Sequence, residues 1–177
     1  MKASIDLTPC LEDLWRYARV LTRNDADADD LVQEALARAL ALAHAYDSSR
    51  PLLPWLVTVL RNAFLTGLNR AKAEKRRLET YAMFADPVLP PSQEHSADLS
   101  KVMQALSALP TDQAEVLHLV GVLGFSYSDA SGVLGVPTGT VMSRLSRARA
   151  ALRDNIDGLT DREPTRLRVV GGRDGAR

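Results

Sequence analysis

The chain has 177 residues, 46% of them apolar and 25% charged, which excludes a disordered polymer and leaves room for one medium domain or two small ones. Its 22 basic and 22 acidic residues cancel, so the segregation of sign along the chain says more about partners than the total does. A single cysteine, Cys10, excludes an internal disulfide and reads as a small buried hydrophobe, and with no signal peptide or long apolar run the chain is expected to be cytoplasmic, without membrane insertion.

Aromatic residues make up only 5% of the chain and strand-like alternation is nearly absent, so the expected fold class is all-α. Helical periodicity fills roughly residues 9–82, with helix starts near Thr8, at Asn24 or Asp25, and around Pro54. On the helix from Ala28, the residues Leu31, Ala35, Leu36, Ala39 and Leu40 are expected to form the buried stripe. Asp30, Gln33, Glu34 and Arg38 fall outside it, spaced to act as one polar patch. Asp25, Asp27, Asp29, Asp30 and Glu34 form an acidic block; Arg61, Arg70, Lys72, Lys75, Arg76 and Arg77 form a basic one. Leu56, Val59, Leu60, Ala63, Phe64 and Leu68 should face inward on the helix from Trp55, leaving Arg61, Asn62, Arg70, Lys72 and Lys75 outside. Trp55 suits a core anchor better than a stacking platform, and Tyr46 suits either.

Pro87, Pro90 and Pro91 interrupt any helix, so residues 83–97 read as a flexible proline-containing linker between a domain over 1–82 and a second over 98–155. The second begins with Leu99, Val102, Met103, Leu106 and Leu109 on one face. Thr111 is the expected cap of the next helix, with Ala114, Leu117 and Val120 inward. Residues 156–177 carry Pro164, Gly171, Gly172 and Gly175 among mixed charges and are expected to be a disordered tail.

Phe125 to Arg153 is the most telling stretch. Two helical patterns flank Gly135-Val136-Pro137, and in the second Val141, Leu145, Ala148 and Leu152 recur on one face. No acid lies between Val136 and Arg153. The opposite face carries Gly139, Ser143, Ser146 and Arg147, with Arg144, Arg149 and Arg153 on its shoulders. This is the pattern of a helix-turn-helix: short side chains let the backbone approach base edges, and arginines suit phosphate or guanine. A basic solvated helix on an ordinary bundle would leave both the turn and the arginine placement accidental.

These segments together carry a family resemblance. Asp27-Ala28-Asp29-Asp30-Leu31-Val32-Gln33-Glu34-Ala35-Leu36-Ala37-Arg38-Ala39-Leu40, followed by Pro54-Trp55-Leu56-Val57-Thr58-Val59-Leu60-Arg61-Asn62, resembles region 2 of bacterial sigma factors. The stretch from Leu109-Pro110 to the end of Ser143-Arg144-Leu145-Ser146-Arg147-Ala148-Arg149-Ala150-Ala151-Leu152 resembles region 4. Residues 9–155 as a whole resemble a minimal sigma factor of the extracytoplasmic-function class. Phe125-Ser126-Tyr127, Ala130 and Arg61-Asn62-Ala63-Phe64 look most like the general-stress subgroup of alphaproteobacteria.

The resemblance implies a subunit that binds core RNA polymerase, reads promoter DNA with both domains, is a monomer when free, and answers to an anti-sigma factor. It assigns Asp30, Gln33, Glu34 and Arg38 to the clamp helices of the largest polymerase subunit. Tyr46, Ser48, Ser49, Arg50, Arg61, Asn62, Arg70 and Lys72 go to the minus-ten element, where a flipped base needs a pocket and a basic track. Thr138, Thr140, Ser143, Arg144, Ser146, Arg147 and Arg149 go to the minus-thirty-five element. Met142 stands where a lysine or arginine is common. Gly132 stands where a glutamate is common, costing about 1 kcal/mol against alanine in a helix.

Other classes fit less well. His44, His95 and His118 lack the spacing of a zinc site, no phosphate-binding glycine loop is present, and no cofactor or catalysis is expected. Two alternatives stay open: a sigma-mimicking adaptor that sequesters an anti-sigma factor, and a stand-alone helix-turn-helix regulator. The adaptor would usually carry a receiver domain. The regulator would usually bind palindromic duplex as a dimer.

Overall fold

The computed structural model describes residues 5–79 and 105–160; the proposed linker at 83–97, the start of the helix from Leu99 and the tail beyond Thr160 lie outside them. The described residues are helices and short connections, without a strand. A 3-10 turn at Thr8–Cys10 leads into α1 (Leu11–Thr22), followed by α2 (Asp25–Ala41) and α3 (Leu52–Glu79). After a helical segment at 105–107 come α4 (Thr111–Gly121), α5 (Tyr127–Leu134) and α6 (Thr138–Thr160).

Local chemistry sets most boundaries. α1 buries Leu14, Tyr17, Ala18 and Leu21, an i, i+3, i+4, i+7 stripe, and ends where Arg23 turns left-handed at φ 58°. Asn24 then caps α2, its side chain accepting from the Asp27 amide at 3.1 Å, and the acids of the first turn suit the positive end of the helix dipole. Arg19 pairs with Asp25 across this corner.

α3 starts at Leu52, earlier than expected. Pro54 sits inside the first turn, where its missing amide hydrogen is not needed. At 28 residues α3 is about 42 Å long. Leu56, Val57, Val59, Leu60 and Ala63 are buried, but from Gly67 to Glu74 every side chain is exposed, so the distal half of α3 projects beyond the bundle.

Several inward assignments shift. On α2 the buried row is Ala28, Leu31, Val32, Ala35 and Ala39, whereas Leu40 is 61% exposed. Leu68 is likewise on the surface. On α4 the buried residues are Glu115, Val116, His118 and Leu119, and the expected trio Ala114, Leu117 and Val120 is only half-buried. The reason is that α4 packs chiefly on two helices, α1 of the first bundle and α6 of the second, so one amphipathic stripe does not describe it. Thr111 is the first helical residue rather than the cap; Pro110 holds the cap position without a side-chain hydrogen bond. α6 runs to Thr160, beyond the expected end of the second domain at residue 155.

α1, α2 and α3 form one bundle, and α4, α5 and α6 another. The two are joined by contacts of α1 with α4 and of α3 with α5, and a single apolar core runs from Cys10 through to Leu145. Cys10 is buried as expected, and burial, with Asp13 and Asp6 nearby, pushes its thiol above the ordinary range.

Candidate functional site

The helix-turn-helix is built by its caps. Ser126 accepts from the Asp129 amide at 3.0 Å and donates to the Asp129 carboxylate at 2.6 Å, fixing the start of α5. Gly135 closes α5 at φ 66°, a backbone conformation that side chains rarely adopt, and its amide bonds the Ser131 carbonyl at 2.9 Å. Ser131 reaches across the turn to the Val136 carbonyl at 2.6 Å, so the angle between α5 and α6 is held from both sides. Replacing Ser126 with alanine is expected to cost about 1 kcal/mol, read as a lower midpoint in urea denaturation with an unchanged slope.

α6 buries Val141, Leu145 and Ala148 and turns Thr138, Gly139, Ser143, Ser146, Arg147 and Arg149 to the outside, as the periodicity requires. Thr140 is half-buried at the edge of that face. Arg147 folds back along the helix, donating to the Ser143 carbonyl and hydroxyl at 3.3 Å each, which leaves it extensible. Arg144 departs from the row: it pairs with Asp112 of α4 at 3.2 Å and braces the domain. Tyr127, Met142, Leu145, Ser146, Arg149 and Arg153 line an open groove of about 390 Å³. Met142 is 49% exposed there, and Gly132 lies in open space on α5.

In the first bundle the loop before α3 is braced internally. Tyr46 donates to the Arg50 carbonyl at 2.6 Å and its ring lies 5.0 Å from that of Trp55, which is itself half-buried against the core. Asp47 accepts from the Ser49 amide and hydroxyl, which holds its carboxyl below the usual range, and pairs with Arg50 at 3.5 Å. Ser48, Ser49 and Arg50 are exposed at the loop tip; Asn62, Arg70 and Lys72 are exposed along α3, the last two on its projecting half. Arg61 is not among them. Its side chain is 17% exposed and its Nε donates to Glu115 of α4 at 2.9 Å.

On α2 the residues Asp30, Gln33 and Glu34 are exposed and Arg38 is half-buried, pairing with Glu34 one turn away. Beside them Trp15 of α1 donates from its indole to Asp29 at 2.7 Å, and Leu40 and Leu42 extend the surface with apolar area. Sequence periodicity missed Trp15 and Leu40. Trp15 carries no signal of its own in the sequence, while the spacing of Leu40 points to the core, yet the residue is 61% exposed.

The model for Sigma-70 region 2 matches residues 8–74 and that for Sigma-70, region 4 matches residues 99–152. The extracytoplasmic-function RNA polymerase sigma factor EcfG of Rhodopseudomonas palustris is 37% identical over 172 residues, 94% of each chain. The chain belongs to the extracytoplasmic-function sigma factors. A probable RNA polymerase sigma-C factor of Mycobacterium bovis is 33% identical over 159 residues, covering 88% of this chain and 80% of the relative. Among solved structures, the sigma factor RpoE of Bartonella quintana, in complex with the anti-sigma factor NepR, superposes with a TM-score of 0.70 at 34% identity, over 85% of this chain and 94% of that one.

For a sigma factor the layout is informative. α5 and α6 as far as Leu152 fall within the region 4 match, and the α2 patch with Asn62, Arg70 and Lys72 of α3 falls within the region 2 match. Among the described residues no helix is long and apolar enough to cross a membrane, and no cluster of three His, Cys, Asp or Glu side chains could hold a metal ion.

Proposed function

We propose that this sigma factor binds core RNA polymerase through the exposed α2 patch of Asp30, Gln33, Glu34 and Arg38 and directs it to promoters, reading two DNA elements with its two bundles. The observation that carries the reading is the outer face of α6. Thr138, Ser143, Ser146, Arg147 and Arg149 are presented together, free of acids, on a helix whose opposite face buries Val141, Leu145 and Ala148 and half-buries Leu152. Short side chains at the centre admit close approach, and flanking arginines supply the charge that phosphate contacts need. Thr140 joins this minus-thirty-five surface from its edge, and Arg144 serves it indirectly, by holding α6 on α4 through Asp112.

The minus-ten element is assigned to the loop of Tyr46, Ser48, Ser49 and Arg50 and to Asn62, Arg70 and Lys72 on α3. The projecting half of that helix offers a basic edge with no core to serve, suited to a freed strand. Arg61 belongs to the same surface once α4 is removed from it. The general-stress subgroup rests on the resemblance of Phe125-Ser126-Tyr127, Ala130 and Arg61-Asn62-Ala63-Phe64, and control by an anti-sigma factor is supported by the likeness to RpoE in its complex with the anti-sigma factor NepR.

Run-off transcription with purified core polymerase across a promoter library tests the reading: promoter-specific transcripts that depend on the chain are expected, and their complete absence would sink it. Arg147→Ala should lower the discrimination between matched and mismatched minus-thirty-five elements by about 1–3 kcal/mol if Arg147 reads a base edge. A uniform loss with a shallower salt dependence would reassign it to phosphate.

A further inference from the structure

The joint between the bundles is built around one buried acid. Glu115 of α4 is 6% exposed and draws its partners from the other bundle: Tyr17 of α1 donates to its Oε1 at 2.9 Å, and Arg61 of α3 donates to the same oxygen at 2.9 Å. Neither partner is local, at 98 and 54 residues away in sequence. One turn further along α4, His118 stacks on the Tyr17 ring with centroids 5.9 Å apart. At the rim a second clasp crosses the joint: Arg23 donates to the carbonyls of Ser107 and Leu109 at 2.8 and 2.6 Å.

A carboxylate taken out of water is costly unless paired, so Glu115 can be buried in the closed joint only because Tyr17 and Arg61 meet it there, and it regains water when the bundles part. Arg61 meets there the same chemistry it would meet on DNA, an anionic oxygen aligned with a guanidinium N–H. Closure and strand binding therefore compete for one side chain. We propose that Glu115 is an internal substitute for a nucleic-acid phosphate, holding the free chain shut over Arg61 and restraining DNA binding until the bundles separate. The inference rests on the assignment of the α3 flank to DNA.

The two arms of the test are X-ray scattering of the free chain and its affinity, by fluorescence anisotropy, for a labelled single-stranded 20-nucleotide DNA at low salt. Glu115→Gln should enlarge the radius of gyration and tighten DNA binding by about five-fold or more, the lower range of measured couplings between sites. Tyr17→Phe, which keeps the buried ring on His118, should shift both in the same direction by less, and carries the test if Glu115→Gln does not fold. Adding Arg61→Ala to Glu115→Gln should remove the gain in affinity. Unchanged radius and affinity in both variants would overturn the proposal, as would opening without tighter binding. If core polymerase makes no transcript with the wild-type chain, the sigma reading fails separately, because the scattering arm involves neither polymerase nor DNA.

Discussion

Replacing Leu145 with alanine is expected to destabilise the second bundle by about 2–5 kcal/mol, the range for a large-to-small change at a fully buried leucine. Leu145 is 2% exposed and lies between Val141 and Ala148 in the row that holds α6 against α4 and α5. A small bundle with a total stability of about 5–15 kcal/mol tolerates that loss poorly. Met142 is the control, three residues earlier on the same helix and 49% exposed; its replacement by alanine should stay within about 0.5 kcal/mol. Circular dichroism during urea denaturation reads both. Equal effects would mean that α6 is rotated from the face assigned to it, and the reading of its outer row would fail with it.

Acid should weaken the joint between the bundles through His118. Burial holds its imidazole down from 6.5 to about 4; Asp13 opposes this and Arg16 adds to it, both from α1. The ring nitrogen Nε2 has no hydrogen-bond partner, and the packed surroundings also bring Tyr17, with the Glu115 and Arg61 pair one turn away. Because the folded value is depressed, the separated or unfolded chain binds the proton more readily. The stability is complete above pH 6.5 and falls as the pH drops below it. The loss is about 1 kcal/mol at pH 5.5 and approaches about 3 kcal/mol below pH 4. A melting temperature that falls between pH 7 and 5 in the wild type, but much less in His118→Phe, is the expected result. Parallel curves for the two would remove His118 as the cause.

The helix-turn-helix was legible because every device in it is local: a serine cap, a left-handed glycine, a proline before the next helix and an apolar row at helical spacing. The order of the helices and the outer faces of α2 and α6 were legible for the same reason. What escaped was whatever depends on the second neighbour of a helix. Periodicity gave α4 one inner face, Ala114, Leu117 and Val120, while packing on both α1 and α6 buries Val116 and Leu119 and draws Glu115 and His118 inside. A charged residue and a histidine three apart on a helix look like a solvated face until Tyr17 and Arg61 arrive from elsewhere in the chain. Arg61 has the spacing of an outward member of a basic block, but Glu115 of α4 draws it into the joint. Leu40 and Leu68 have inward spacing, yet both are exposed, because spacing fixes a face of the helix and not whether another helix covers it.

The sequence distance between Tyr17 or Arg61 and Glu115 also orders events in time. Contacts within each bundle close short loops, whereas the joint must close a long one, so it forms after the parts it connects. During synthesis the first bundle can fold before α4 has left the ribosome. For that interval Arg61 has no carboxylate to meet, and the newly made chain passes through its open form before it ever reaches the closed one.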